Sequence, residues 1–516
     1  MKYNKIIGFA LVGLMTFTSC DSDLAGVNEN PNDPEMVPTY TIFNRATKRV
    51  MDNTRDGWMA ARLTSPWVQY GAQINYVEED RYLYRETTSQ GGWNQLYFAA
   101  NNFKKIIEIA SEQDLATSPN QIAAARVMLA YTFMTLADHW GDVPYWSYGS
   151  NDPEFQALNI QETTTPVYAP QSKIYADLLK ELSEANDQFT LDQPVFGAGD
   201  GIYGGDASKW KKFANSLRLR IANRVKDVLP AAQAHITDAI NDGIFESNAD
   251  NAAQSYGTSS AQGNPFWATF FVDARTDFAV NDRFIRLLKG DNGQFGYDPR
   301  LQQMAAPAGT SVADVSSNAY TPSDDLDDYQ GMPYGLPENR LSANNPIAGL
   351  SFASNQVISI DAPEILMEYS EVLFILSEVN GWDQGYYEQG VRASMEKWGV
   401  ESSKVDTFVA DLPAANEENV ISQKYVALYM QPQEAWAEYR RTGYPDGDIL
   451  LLPGGTGLEV DGTTTYVFTP LPVIDHMPYR VRYPEGEFSL NEANVIEASN
   501  RLPNGDTMDS KLWWMP

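Results

Sequence analysis

The sequence predicts a mostly α fold, a tetratricopeptide-like scaffold of stacked helix pairs that carries one large, irregular, loop-rich insertion. Three observations support this. Apolar residues recur at helical spacing in several separated windows. The windows come in neighbouring pairs of similar length, as in a degenerate helical repeat. Between the second and third pairs, about 243–361, the chain turns rich in Gly, Pro, Asn and Asp.

The first element is a leader. Lys2 and Lys5 precede an apolar run from Ile6 to Phe17, too short for the roughly 20 residues of a membrane-crossing helix. A basic head and a short apolar core are the layout of a secretory signal peptide, assigned to 1–19. The junction Phe17-Thr18-Ser19-Cys20 resembles a bacterial lipobox. No second cysteine exists to form a disulfide, so Cys20 is expected to carry lipid rather than a redox function. Two or more acyl chains anchor stably, each buried methylene contributing about 0.8 kcal/mol. "DSDLAGVNENPNDPEMVP" follows, and its three prolines suit a tether over 20–38.

A single domain is expected over 39–516, with helix pairs at about 94–140, 172–227, 363–398 and 402–441. In "NQIAAARVMLAYTFMTLADHWG" Val127, Tyr131 and Met134 share a face, and Gly141 ends the helix. In "DASKWKKFANSLRLRIANRVK" Phe213, Leu217, Ile221 and Val225 recur every four residues, with Asp206 or Ser208 as N-cap. Leu366, Tyr369, Leu373 and Leu376 make a third face within "APEILMEYSEVLFILSEVNGW". A loop-rich insertion on a helical scaffold is where binding residues concentrate.

A net charge of −31, spread along the chain, argues against a nucleic-acid partner, because such affinity rests on Lys and Arg. The three histidines, His139, His235 and His476, form no His-Glu-x-x-His pair, and "GTSSAQG" is no nucleophile elbow. "GAGDGIYGGD" lacks the Lys-Ser/Thr of a phosphate loop and reads as a turn. No pattern singles out a carboxylate pair, a metal site or a cofactor, so no enzyme is expected. The run "SDDLDDYQG" offers oxygen ligands for a structural calcium but lacks the twelve-residue EF-hand order, and a solvated acidic loop is the plainer reading.

Most of the twelve Trp, 28 Tyr and 22 Phe are expected to fill the core, and some to form the flat faces that sugar sites use beside hydrogen-bonding side chains. Three stretches combine the two. "QYGAQINYVEEDRYLYRETTSQGGW" holds Tyr70, Asn75, Tyr76, Arg81 and Tyr82. "NPFWATFFVDARTDF" holds Trp267, Arg275 and Asp277, and "DDYQGMPYG" holds Tyr329 and Tyr334. Against each stands a core reading, strongest for Tyr70, Trp67 and the Phe270–Phe271 pair. Tyr76, Arg81 and Trp267 head the candidates.

The stretch "DGIYGGDASKWKKFANSLRLRIANRV" resembles the SusD/RagB family of outer-membrane nutrient-binding lipoproteins of Bacteroidetes-type bacteria. "DHWGDVPYW", "PEILMEYSEVLFILSEV", "EAWAEYRRTGYP", "NENPNDP" and the closing "KLWWMP" fit the same family in order, nearer its second SusD-like branch. The resemblance implies a surface-exposed lipoprotein, with Asp21 and Asp23 resembling its export signal. It implies capture of oligosaccharides, or peptides, and delivery to a SusC-like TonB-dependent barrel. It also implies that Trp210, Phe213, Arg218, Trp436 and Arg440 pack and pair between helices. The alternative is a protein-interaction scaffold whose loops hold no ligand.

Overall fold

The computed structural model describes residues 37–336 and 349–516. The expected leader, Cys20 and nearly all of the tether lie outside the described residues. Thr39–Pro516 forms one compact unit.

Six helices stack in chain order: α1 (Thr39–Asp52), α2 (Glu86–Gln113), α3 (Ser118–Trp140), α4 (Gln171–Gln188), α5 (Ala207–Val225) and α6 (Ala232–Asp242). Each packs mainly on the next in sequence, α1 on α2 across the long 53–85 connection. Helix α3 is buried all round from Ile122 to Trp140, the pattern of a central helix, and Gly141 ends it at φ 98°. Asp206 is the N-cap of α5, accepting the Ser208 and Lys209 N–H groups. The glycine-rich turn before it is organised by Asp200, whose carboxylate accepts from Ile202 N, Gly205 N and Trp210 Nε1 (2.9, 3.0 and 2.7 Å).

A second group of helices covers this stack: α7 (Pro265–Phe271), α8 (Asp282–Lys289), α9 (Tyr369–Val379), α10 (Gln384–Lys397), α11 (Ser402–Ala410), α12 (Glu417–Ala427) and α13 (Pro432–Thr442). Two-stranded pairs join distant segments. They are β1 (Gly71–Gln73) with β5 (Phe278–Val280), β2 (Val143–Pro144) with β3 (Tyr168–Ala169), β4 (Ala252–Gln254) with β6 (Glu364–Met367), and β7 (Thr456–Leu458) with β8 (Thr465–Val467), all antiparallel.

Five expectations change. Helix α1 was not foreseen. Helix α2 begins at Glu86, not near 94, and runs through Gly91 and Gly92. A Cβ on Gly92 would meet Met59 Sδ at 2.8 Å, so that glycine admits a close approach. The helix expected from Pro363 starts only at Tyr369, because Glu364–Met367 is drawn out as β6 by pairing with β4. The region 402–441 is three helices, not a pair, and the 243–361 insertion carries helices and strands of its own.

The α3, α5, α9, α12 and α13 faces meet over ionised side chains. Arg220 Nε donates to Glu371 Oε1 (2.6 Å), and its Nη2 to Gln431 Oε1 and the Leu366 carbonyl (2.9 and 3.1 Å). Arg224 bridges Asp138 and Glu434. Lys424 and Arg441 share Glu438, and Arg441 also takes Glu378 through two bonds of 2.6 and 2.7 Å. Burial opposes the Glu378 charge, but Arg441 and Lys226 overcome it and hold the carboxyl at about 2. Trp210, Phe213 and Trp436 lie in the same core, and Arg440 lies 3.5 Å over the Trp436 ring. Arg218 pairs with Asp242 at 3.1 Å.

Removing one partner strands the other, so Glu434→Gln should cost about 3–5 kcal/mol in urea unfolding. A cost below about 1 kcal/mol would show that the network is not structural. His139 yields a second test. Its Nδ1 faces the Thr135 carbonyl at 2.7 Å, and burial, with Arg440 adding to it, pushes its pKa down to about 3. Between pH about 6.5 and 3 the unfolded chain takes a proton that the native ring refuses, so this contribution is full above 6.5 and is lost on acidification. Partly buried Asp56 and buried Glu364, raised by desolvation to about 6 and about 7, work in the opposite sense. The wild-type minus His139→Gln difference isolates the histidine. It should fall by up to about 1.4 kcal/mol per pH unit from pH 6.5 to 4.5 in parallel urea titrations.

Candidate functional site

Between α1 and α2 the chain makes a wide helical turn, Ala60–Thr64, with i→i+5 bonds from Ala61 N to Asp56 O and from Thr64 N to Met59 O, both 3.0 Å. Such π-turns often mark functional sites. Asp56 starts the turn by accepting the N–H groups of Trp58 and Met59 at 2.9 and 2.8 Å. Gly57 has no room for a Cβ, which would meet Thr269 Cγ2 at 2.5 Å, and α7 therefore lies directly against this turn. The result is that Trp58 stays 42% exposed while Arg62, one turn on, is buried beneath it.

The Arg62 guanidinium lies 4.6 Å from the Trp58 ring centroid and 5.8 Å from that of Tyr76. Tyr76 is 51% exposed and holds φ 60°, a left-handed conformation that a tyrosine rarely adopts. It follows β1, and the antiparallel partner β5 is preceded by Arg275 and Asp277, so one end of this small sheet collects all three. Arg275 lies 5.3 Å from the Tyr76 ring and donates through Nε to Asp277 at 2.6 Å. Asn75 Nδ2 donates to the other Asp277 oxygen at 3.4 Å. Glu79 neutralises Arg62 at 3.4 Å and also binds Arg85. Burial lowers the Arg62 pKa, against the attraction of Glu79.

The surface therefore offers two exposed rings, Trp58 and Tyr76, set over guanidinium groups that carboxylates hold still. Arginine–aromatic stacks fix ring orientation, and the polar rim supplies donors and acceptors for hydroxyl groups. Trp267 lies on α7, the element that Gly57 touches, and stacks on the exposed Phe271 at 5.4 Å.

Of the residues expected from sequence, Asn75, Tyr76, Arg275 and Asp277 come together here. Five others do not. Arg81 uses Nε to hold the Thr469 carbonyl at 3.0 Å, fixing the C-terminal segment. Tyr82 and Tyr334 are core residues packed on Phe468 at 5.4 and 5.1 Å, with no ring face left for a ligand. Tyr70 also lies in the core, stacked on Tyr425 at 4.7 Å, and Tyr329 is buried. In the acidic run, Asp325 caps Asp327 N and Ser323 bonds Asp328, and among the described residues no three His, Cys, Asp or Glu side chains converge as metal ligands. Sequence reading missed Trp58 and Arg62. Their i, i+4 spacing in "GWMAAR" was the available signal, but only the π-turn leaves the tryptophan outside.

A SusD-like family model described as "Starch-binding associating with outer membrane" matches residues 31–454, and one described as "Susd and RagB outer membrane lipoprotein" matches 413–515. A search of curated proteins returns no match. Similar solved structures include a chitin-binding protein (TM-score 0.72, 26% identity, 93% of this chain and 100% of that one). A Bacteroidetes SusD-like protein (0.73, 22%, 93% and 100%) and a SusD homologue from Bacteroides uniformis (0.70, 23%, 92% and 99%) share the fold.

Gly57→Ala should force Thr269 and α7 away, at a cost of about 1–3 kcal/mol by thermal unfolding. The double variant with Thr269→Ala, which removes both the methyl at 2.5 Å and the hydroxyl at 2.9 Å, should recover most of the loss. No recovery would mean that the turn and α7 are not in tight contact.

Proposed function

The chain belongs to the SusD-like family of outer-membrane proteins, and from that premise we propose that it captures oligosaccharides at the cell surface with the Trp58–Arg62–Tyr76–Arg275 face. The protein is tethered by lipid on Cys20 and hands its ligand to a SusC-like TonB-dependent barrel. The two exposed rings carry this reading. A sugar ring presents C–H groups to an aromatic face and hydroxyls at its edge, and here the rings are bordered by Asn75, Arg275 and Asp277. A chitin-binding protein among the similar structures supports a glycan over a peptide.

The reading is one of binding without chemistry. Arg62 and Arg275 are committed to Glu79 and Asp277, so the face presents fixed hydrogen-bonding groups. An open platform of this size gives affinities of about micromolar to millimolar. Tethering beside a transporter offsets that weakness through effective concentration.

The test is a glycan array followed by calorimetry on protein lacking residues 1–20. Trp58→Ala and Tyr76→Ala should each weaken the bound glycan at least tenfold, about 1.4 kcal/mol, with the melting temperature within about 2 °C of wild type. Glycan binding untouched by both variants would remove this face from the function. Pull-down of a barrel with no glycan bound anywhere would favour the scaffold reading.

A further inference from the structure

A cavity of about 90 Å³, open on one side, is walled by the same elements that carry the aromatic face. Ala60 and Ala61 of the π-turn, Ala72 of β1 and Ala279 of β5 leave room that larger side chains would fill. Phe266 and Phe270 of α7 and Phe278 of β5 form an aromatic wall, their ring centroids 5.2 to 6.4 Å apart. Trp58, Arg62 and Tyr76 do not line it, so the cavity is distinct from the stacking surface.

Its polar groups are few, and three of them are unengaged. Glu364 is 4% exposed, and its Oε1 accepts from Asn264 Nδ2 at 2.7 Å. Its Oε2 accepts no hydrogen bond and stands 3.9 Å from Arg55 Nε. That oxygen is not sealed off as Arg55 Nε is, and Glu364 lines the cavity. The two Nη groups of Arg55 are taken by the Thr54 and Ile365 carbonyls at 3.3 and 3.0 Å. Among the described residues the Ser65 and Tyr429 hydroxyls, which also line the cavity, make no hydrogen bond either.

The lining narrows the occupant. Arg55 and Glu364 are its two charged side chains and offset each other, so an ion of either sign would be buried without a partner. An uncharged group is left. Glu364 Oε2 needs a donor, a lining hydroxyl needs an acceptor, and the Phe and Ala walls need apolar surface. Water meets the first two needs and leaves the walls uncovered. An acetamido group meets all three, with its N–H, its carbonyl and its methyl. The cavity equals the liquid volume of about three waters, enough for that group and too little for a pyranose ring.

We propose that the cavity receives the acetamido group of an N-acetylated sugar whose ring stays at the mouth. The amide N–H is donated to Glu364, and the carbonyl accepts from Ser65 or Tyr429. This selectivity rests on the reading of the protein as a glycan receptor, but not on stacking at Trp58 and Tyr76.

The test is calorimetry with three trisaccharides that differ only at C2: tri-N-acetylchitotriose, cellotriose with a hydroxyl there, and chitotriose with an amine. Wild type should bind the N-acetylated one at least about tenfold more tightly than either analogue, since each analogue leaves lining groups unpaired. Ala279→Leu, which fills the cavity from β5, should bring the three affinities within about twofold of one another. Ala279→Val, a smaller filling, carries the same reading if the leucine variant does not fold. Trp58→Ala should weaken all three alike and keep their ratio, which separates failure of this pocket from failure of the aromatic face. Equal affinities in wild type would leave the cavity to water and overturn the assignment. Tighter binding of either analogue, no binding of the N-acetylated one, or a preference that survives the filling also overturns it. A different glycan bound on the array, with no N-acetyl preference, sinks this assignment and leaves the receptor reading standing.

Discussion

The fold depends on the burial of charge between helices. Arg220 and Arg224 leave α5 on successive turns and reach Glu371 of α9, Asp138 of α3 and Glu434 of α13. Taking these ions from water costs several kcal/mol each, and only fixed, nearly complete pairing returns it. The pairing can be met in one relative placement of the helices. An apolar interface alone tolerates slippage of a residue or a turn, whereas a guanidinium fork does not. The network therefore sets register, and the surrounding Trp210, Phe213 and Trp436 supply the larger burial energy.

That register reaches the aromatic face through one short strand. The Leu366 carbonyl of β6 accepts from Arg220 inside the network, and the neighbouring Ile365 carbonyl accepts from Arg55 at 3.0 Å. Arg55 lies at the base of the turn that presents Trp58, and its guanidinium also reaches Tyr131 of α3 at 3.4 Å. The site is thus borne on a segment pinned to the core on both sides, and only its outer rings face solvent. This arrangement suits a receptor of rigid sugars, because less ordering is needed when the ligand arrives.

At the aromatic face each arginine has its carboxylate, so the surface presents rings rather than a net charge.

The sequence by itself determined the helical class, the helix end at Gly141, the α5 N-cap to within Asp206 or Ser208, and the family, because helix periodicity and capping are encoded within one or two turns of chain. It also picked out Asn75, Tyr76, Arg275 and Asp277 as chemically suited residues. The tertiary structure decided which rings face water: Tyr82 and Tyr334 go inside and Trp58 stays outside. It also turned Glu364–Met367 from the start of a helix into a strand. Those outcomes rest on partners about 100 or more residues away, the β4–β6 pairing and the packing of Phe468, and on a π-turn that shifts one face of a short helix. Composition near a residue carries no record of such contacts, so exposure and strand pairing became legible only once the chain was folded.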